Sequence, residues 1–454
     1  MGHALMSEAP ADPIVAPSSR CFSNSTTTED SISSTATIQW PFTTLNLGLL
    51  PTLCPPNILA SITQLPEVRE AVSSPETCSV NNQSAAVTAE GFHRAVDIFR
   101  QMQEGGPEHV ALLALLAEFH QRRGEFTQAL ETVSSLQQYA STRTKTGSAP
   151  SSSHDLSLAR AKITWLQGDT DTCQAACQEI IDHPQNHQSP LHFAAARNGQ
   201  ALARLLAAET LDEAFTLRDS SRMVLRLLEQ STPQHRVPWI LAQLNYGTTE
   251  FLYADMISRI NDVDAPIDGA MRAWMEARTS IELFQREKKK SPPSDLLRTI
   301  EARVWANLAT GALTMGRLTG QDQTPKASEY AGKALKLLEQ TMQSPTSSHT
   351  LQHEDLGHVL SLVATCYHKN GSAVTAEGLL QSAMDVTAVG PTQQLLHRSS
   401  MMAYARLLQD WEKREEQGRK LQAQAQELEM PELWKTKISG FGTLWFWTPN
   451  DFVS

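Results

Sequence analysis

Residues 92–136 read FHRAVDIFRQMQEGGPEHVALLALLAEFHQRRGEFTQALETVSSL, and one pattern of apolar and small side chains occurs in this stretch twice. Phe92, Ala95, Phe99 and Met102 return 34 residues later as Phe126, Ala129, Val133 and Leu136. Between them Leu113, Leu116, Ala117 and His120 keep a helical spacing that runs up to Gly124. Apolar residues at i, i+3, i+4 and i+7 lay one stripe along a helix. A glycine between two such stripes allows a tight turn at little steric cost. A fixed period holding a helix, a turn and a second helix predicts an all-α array of stacked hairpins.

The pattern recurs downstream. Ala161, Gly168, Cys173, Cys177 and Ile180 take the relative places of Ala117, Gly124, Ala129, Val133 and Leu136. Trp305, Leu308, Ala309, Ala312 and Gly316 fit a first helix and its turn, with Ala327, Ala331 and Ala334 on the second. Leu360, Val363, Ala364 and Tyr367 precede Gly371, and Ala376, Leu380 and Ala383 follow it. Small residues such as Ala95, Ala129, Ala327 and Ala376 are expected where helix axes cross, and Gly124, Gly168, Gly316 and Gly371 at the turns.

This arrangement resembles the tetratricopeptide (TPR) repeat. The resemblance implies a right-handed α-solenoid, a non-enzymatic scaffold or adaptor whose concave groove, lined by first helices, holds a peptide or helix of a partner protein. Carried over position by position, the groove candidates are Glu118 and Arg122, then Lys162 and Trp165, then Arg303, Asn307 and Thr310, and finally His358, Thr365 and His368. Ala114 and Glu118 stand where the family's clamps for acidic chaperone tails place Lys and Asn, which argues against such a clamp. An obligate subunit or assembly factor of a larger complex, organellar or otherwise, is the alternative.

Around the repeats the chain divides into three parts. Residues 1–80 are rich in Ser, Thr and Pro, and such a segment is expected to be disordered, although Leu45, Leu47, Leu49 and Leu50 could dock on the array. Residues 81–430 form the solenoid, with insertions expected at 141–153, 286–294 and 317–324. From His192 to Arg286 helical stripes continue but the period blurs, and repeats with insertions account for this better than a separate fold. Residues 431–454 carry Phe441, Leu444, Trp445, Phe446, Trp447 and Phe452. This aromatic tail either seals the end of the array or is a second contact for a partner.

Other function classes find little support. A net charge of −11 argues against nucleic acid. The prolines at 51, 55 and 56 interrupt the most apolar early run, so no membrane span is expected. Six cysteines are too sparse for a disulfide framework, and no secretory signal is evident. The default compartment is therefore the cytoplasm, with the nucleus or an organelle as alternatives. The sequence holds no phosphate-binding loop, no His-Glu-x-x-His and no nucleophile elbow, so no catalytic residue or cofactor is expected. Cys173, Cys177, His183 and His187 offer zinc-ligand types, but both cysteines fall on packing positions of the repeat and read as core residues.

Overall fold

Why first helices are long, buried rods and second helices amphipathic covers follows from how the hairpins stack. The computed structural model describes residues 49, 53, 56–62, 66, 91, 93–98, 100–101, 104–122, 125–144, 151–182, 190–207, 211–229, 236–261, 267–287, 295–342, 350–387, 394–428 and 446. All of them fall in the unit Gln39–Ser454. The helices are α1 Pro56–Ile62, α2 Pro107–Arg122, α3 Phe126–Thr144, α4 Ser151–Gln167, α5 Thr170–Asp182, α6 Pro190–Ala207, α7 Leu211–Glu229, α8 Arg236–Asn261, α9 Asp268–Glu287, α10 Asp295–Thr319, α11 Thr324–Met342, α12 Thr350–Lys369, α13 Ala373–Thr387, α14 Gln394–Gln409 and α15 Glu415–Glu427. No strand occurs among the described residues.

Each helix from α2 onward packs on its neighbour in the chain, so the fold is an all-α solenoid of helix-turn-helix hairpins. The even-numbered first helices also touch the next first helix, at α4/α6, α8/α10, α10/α12 and α12/α14. A rod between two second helices and two other first helices has few faces left for water. Residues 109–121 of α2 and 304–312 of α10 are accordingly buried without a break. The second helices bury a single stripe, as in Thr324, Ala327, Tyr330, Ala331, Ala334, Leu338 and Thr341 of α11. Ala95, Ala129, Ala327 and Ala376 are completely buried, as small residues at close helix crossings must be.

The turns use a common closure. Glu125 N–H donates to His120 O at 2.9 Å, Asp169 N–H to Thr164 O at 2.9 Å and Ser372 N–H to Tyr367 O at 2.9 Å. This is the six-to-one bond of a helix ending in a left-handed residue, and Gly168 (φ 82°) and Gly371 (φ 78°) supply that residue. Gly124 lies outside the described residues. Gly316 departs from the expectation. It sits inside α10, which runs on to Thr319, and the left-handed residue is Gly320 (φ 66°). A Cβ at Gly316 would stand 3.0 Å from Gln321 O. Its role is to let the turn fold back closely on the helix. The expected insertion at 317–324 thus begins as helix and reduces to a short turn before α11.

The blurred stretch resolves into two further hairpins, α6/α7 and α8/α9. Its period fades because extra residues lengthen a helix: α8 has 26 residues, beyond what half of a 34-residue unit can hold. The insertion expected at 141–153 is likewise partly helix, since α3 ends at Thr144 and α4 begins at Ser151. Of residues 286–294, only the end of α9 at Glu287 is described.

Most of the segment 1–80 lies outside the described residues, but a part of it that was expected to be disordered is a helix. Leu49 and Ile62 are completely buried in one apolar cluster with Leu112, Leu115 and Val133, and α1 packs on α2. These two side chains cover an apolar flank of α2 and α3 together with Ala95 and Val96 of the helical residues 93–98, which belong to the same cluster.

Candidate protein-interaction site

Polar side chains buried along the first helices make one bond across almost every joint. His192 Nε2 of α6 lies 3.0 Å from Asp155 Oδ1 of α4. Asn245 Nδ2 of α8 donates to Asn198 Oδ1 of α6 at 3.0 Å. Asn307 Nδ2 of α10 donates to Thr248 Oγ1 of α8 at 3.5 Å. Arg303 Nε of α10 donates to Asp355 Oδ1 of α12 at 2.6 Å, and the hydroxyls of Ser361 and Ser400 join α12 to α14 at 2.7 Å. A buried polar group left alone costs about 1–3 kcal/mol. Each bond therefore favours one sliding register of neighbouring rods over the others, because a shift by one turn would break it.

At the α10/α12 joint this ladder opens into a small cavity of about 10 Å³, lined by Ala302, Arg303, Ala306, Asn307, Asp355, His358 and Val359. That is space for the tip of one polar group. Asp355 Oδ2 and His358 Nε2 are buried and have no hydrogen-bond partner among the described residues, and the same holds for Thr310 Oγ1 one turn beyond Asn307. Burial, and then the neighbouring Arg303 guanidinium, push His358 down to about 4, so at neutral pH the imidazole is uncharged. Burial raises Asp355, against the pull of Arg303. The bonded pair places a cation and an anion side by side, with a carboxylate oxygen and a ring nitrogen left to meet a visiting group.

Four groove candidates, Arg303, Asn307, Thr310 and His358, thus come together on adjacent first helices. The sequence reading missed Asp355. Its position one turn before His358 on the same face of α12 was the available signal. The other candidates are placed differently. Glu118 and Lys162 are buried in α2 and α4, and Trp165 is buried at the end of α4. Thr365 Oγ1 bonds back to Ser361 O at 2.8 Å. His368 Nε2 lies 3.3 Å from Asp410 Oδ2 beside the terminal pair. The side chain of Arg122 lies outside the described residues. Of these candidate positions, Glu118, Lys162, Trp165, Asn307, Thr310 and His358 are buried.

Cys173 and Cys177 are completely buried on α5. Cys177 is held well above the usual thiol range by its hydrogen bond with Cys173 and by burial, which suits a core thiol and opposes a metal-bound thiolate. His183 and His187 lie outside the described residues. Among those described, no group of three or more His, Cys, Asp or Glu is placed to hold a metal. No described helix is long and apolar enough to cross a membrane.

Of the aromatic tail, Phe446 alone is described. It is 2% exposed and belongs to the central apolar cluster with Trp165, Cys177 and Leu202. Its ring centroid lies 6.0 Å from that of Trp165. A Cβ on Gly199, in the middle of α6, would stand 2.5 Å from Phe446 Cζ and 2.9 Å from Cys177 Sγ. The ring therefore rests directly on the bare backbone of α6, in a socket built by α4, α5 and α6.

No protein-family profile matches the chain, and no curated protein matches it. Among solved structures, a tetratricopeptide repeat protein from Parabacteroides merdae is similar over 79% of this chain and 98% of its own, at 12% identity and a TM-score of 0.33. The class defined by the hairpins and their packing is that of an all-α helical-repeat protein.

Proposed function

We propose that this chain is a non-enzymatic interaction scaffold of the tetratricopeptide-like kind, and that it holds a peptide or helix of a partner protein across the joint between α10 and α12. The observation that carries the reading is the cavity at Arg303, Asn307, Asp355 and His358, where two buried polar atoms have no bond among the described residues. A site built to hydrogen-bond one group discriminates strongly against ligands that lack it, because its own polar atoms are then stranded. The rods around it are fixed by the ladder, so the receptor loses little entropy when a ligand docks. The partner is recognised by an amide or hydroxyl that reaches Asp355 Oδ2 and His358 Nε2.

The test is quantitative comparison of proteins captured by the wild-type chain and by a His358→Leu variant, with melting curves on both. Retained melting and loss of a defined set of partners supports the reading. An unchanged set with unchanged melting refutes it. The second reading, a permanent subunit of a larger complex, is favoured by a different observation: Phe215 and Met223 on α7 and Met275 and Leu283 on α9 are large apolar side chains exposed on second helices. Insolubility of the isolated chain, relieved by Phe215→Ser with Leu283→Ser, would support that reading over the first.

A further inference from the structure

The cavity between α10 and α12 is lined by three side chains without polar atoms, Ala302, Ala306 and Val359, and by four that carry them, Arg303, Asn307, Asp355 and His358. Two of the four are committed to each other, since Arg303 Nε donates to Asp355 Oδ1 at 2.6 Å and both side chains are largely buried. The Asn307 amide is poorly engaged: its Nδ2 reaches Thr248 Oγ1 only at 3.5 Å, past the usual length of a hydrogen bond. Asp355 Oδ2 and His358 Nε2 have no partner among the described residues, and the residues that carry them are 4% and 9% exposed. A buried polar atom is costly unless something meets it, so the donor and acceptor character of these atoms describes the group that belongs there.

A carboxylate oxygen only accepts, so that group must donate to Asp355 Oδ2. A neutral imidazole nitrogen accepts or donates according to where its proton lies, and burial beside Arg303 keeps His358 neutral. The Arg303–Asp355 pair already cancels its own charge. A buried ammonium would therefore bring an uncompensated cation, and a carboxylate would face Asp355. A hydroxyl has one hydrogen and serves both atoms only if Nε2 carries the proton. A primary carboxamide is neutral, holds two N–H donors and a carbonyl acceptor in one plane, and serves both atoms in either tautomer. Its carbonyl also complements the poorly engaged Asn307 amide. We propose that the group recognised at this joint is a primary carboxamide, the side chain of an Asn or Gln of a partner protein, with one N–H on Asp355 Oδ2 and its second N–H or its carbonyl on His358 Nε2. The proposal rests on the reading of the joint as a partner site and names the chemistry which that reading leaves open. The space, about 10 Å³, holds the tip of the group, and the aliphatic stem leaves by the mouth. Arg303 is the one lining residue that is not buried and marks that side.

The experiment titrates the purified full-length chain, isotope-labelled at histidine and valine, with acetamide, which is the carboxamide on the shortest stem. Magnetic resonance follows the His358 Cε1–H signal, assigned by its absence from His358→Leu, and the Val359 methyl signals, assigned by their absence from the conservative Val359→Ile. Acetamide is expected to shift both saturably, with a dissociation constant on the order of 10–100 mM for so small a ligand. N,N-dimethylacetamide has no N–H, ethanol has one hydrogen, and methylammonium is charged; each should bind at least about tenfold more weakly, because it leaves a buried atom unmet or adds a charge. Ala306→Val fills the gap and should abolish the shifts. The comparison of probes on the wild-type chain decides the matter even where a variant unfolds. No saturable shift with acetamide up to about 1 M overturns the proposal and leaves the gap to a single water. Equal shifts with N,N-dimethylacetamide, tighter binding of ethanol or methylammonium, or shifts that survive in a folded Ala306→Val chain overturn it too. The partner reading fails separately. If His358→Leu loses its partners while acetamide does not bind, the joint is a partner site for a different group. If acetamide binds while the captured set is unchanged, the carboxamide preference stands and the partner reading falls.

Discussion

Replacing Gly247 by alanine sets two effects of opposite sign against each other at one atom. Gly247 sits in the interior of α8, where alanine should stabilise the helix by about 0.5–1 kcal/mol through lower chain entropy and better propensity. The methyl group, however, would stand 2.5 Å from both Cδ1 and Nε1 of Trp274, and 3.2 Å from Ala273 Cβ. Trp274 has no easy retreat. It comes from α9, is buried, and lies also against Gly311 of α10, where a Cβ would be 3.1 Å from its Cζ3. Its Nε1–H donates to Leu244 O at 3.3 Å. Displacing the ring overpacks the joint, at about 1–3 kcal/mol, and weakens a hydrogen bond of about 0.5–1.5 kcal/mol. The steric terms exceed the helix gain, and Gly247→Ala should lose about 1–3 kcal/mol.

Urea unfolding followed by tryptophan fluorescence and far-ultraviolet circular dichroism measures this, with local fits because repeat arrays unfold partly joint by joint. Gly332 in α11 and Gly378 in α13 are the controls. Both are helical and exposed, and a Cβ on either meets nothing within 4 Å. Alanine there should raise stability by about 0.5–1 kcal/mol each. Combining Gly247→Ala with Trp274→Leu removes the colliding ring, so the penalty of the alanine should disappear in the double variant, giving a coupling of about 1–3 kcal/mol. A Gly247→Ala chain at least as stable as wild type, or strict additivity with Trp274→Leu, would refute the claim that glycines set the spacing of these rods.

Two further outcomes follow from the buried polar groups. Asn245→Ala removes the donor of the bond to Asn198 Oδ1 and should cost about 0.5–1.5 kcal/mol, read by urea unfolding; an unchanged stability would show that the bond does not hold the α6/α8 joint. Stability should also fall as pH drops from about 6.5 toward 4, because His358 is held near 4 and His109 and His397 are lowered as well, mainly by burial. The unfolded chain takes up protons on these imidazoles below about 6.5 while the folded chain does not, so the stabilisation is present in full above that pH and is lost on acidification. His358→Gln should flatten the lower part of the profile measured by thermal melting, and an unaltered profile would show that His358 is not held neutral.

The architecture was legible because its signals are local. A stripe at helical spacing, an alanine at a crossing and a left-handed glycine at 168 or 371 each announce themselves within one unit, and their conjunction at a fixed interval specifies a hairpin. Gly316 misled for the same reason. A glycine near the end of a first helix reads as a corner, and only the continuation of α10 to Thr319 shows that the corner is Gly320. Gly199, Gly247 and Gly311 carried no message at all. A lone glycine in a helix reads as a weakness until the side chain resting on it is known: Phe446 on Gly199, Trp274 on Gly247, and Met271 with Trp274 on Gly311. Arg303, Asn307 and His358 could be assigned to one face by register, but the burial of that face could not, since it depends on how closely successive first helices approach. Asp155 with His192 and Ser361 with Ser400 became visible as rungs only once their helices were side by side.

The burial of the first helices changes where binding energy can reside. In a wide superhelix, polar residues of the inner face are solvated and a ligand exchanges its own water for theirs across a long surface. Here each rod spends its polar side chains on the next rod, as at Asn198/Asn245 and Asn307/Thr248, and those groups cannot serve a ligand without breaking a joint. On the scaffold reading proposed above, recognition concentrates where the ladder leaves an atom over. The α10/α12 cavity is such a place, with Asp355 Oδ2 and His358 Nε2. A few discrete anchors on a rigid frame favour short segments with one or two well-spaced determinants. Such a frame would discriminate by the cost of a stranded polar atom, more than by the area of surface it covers.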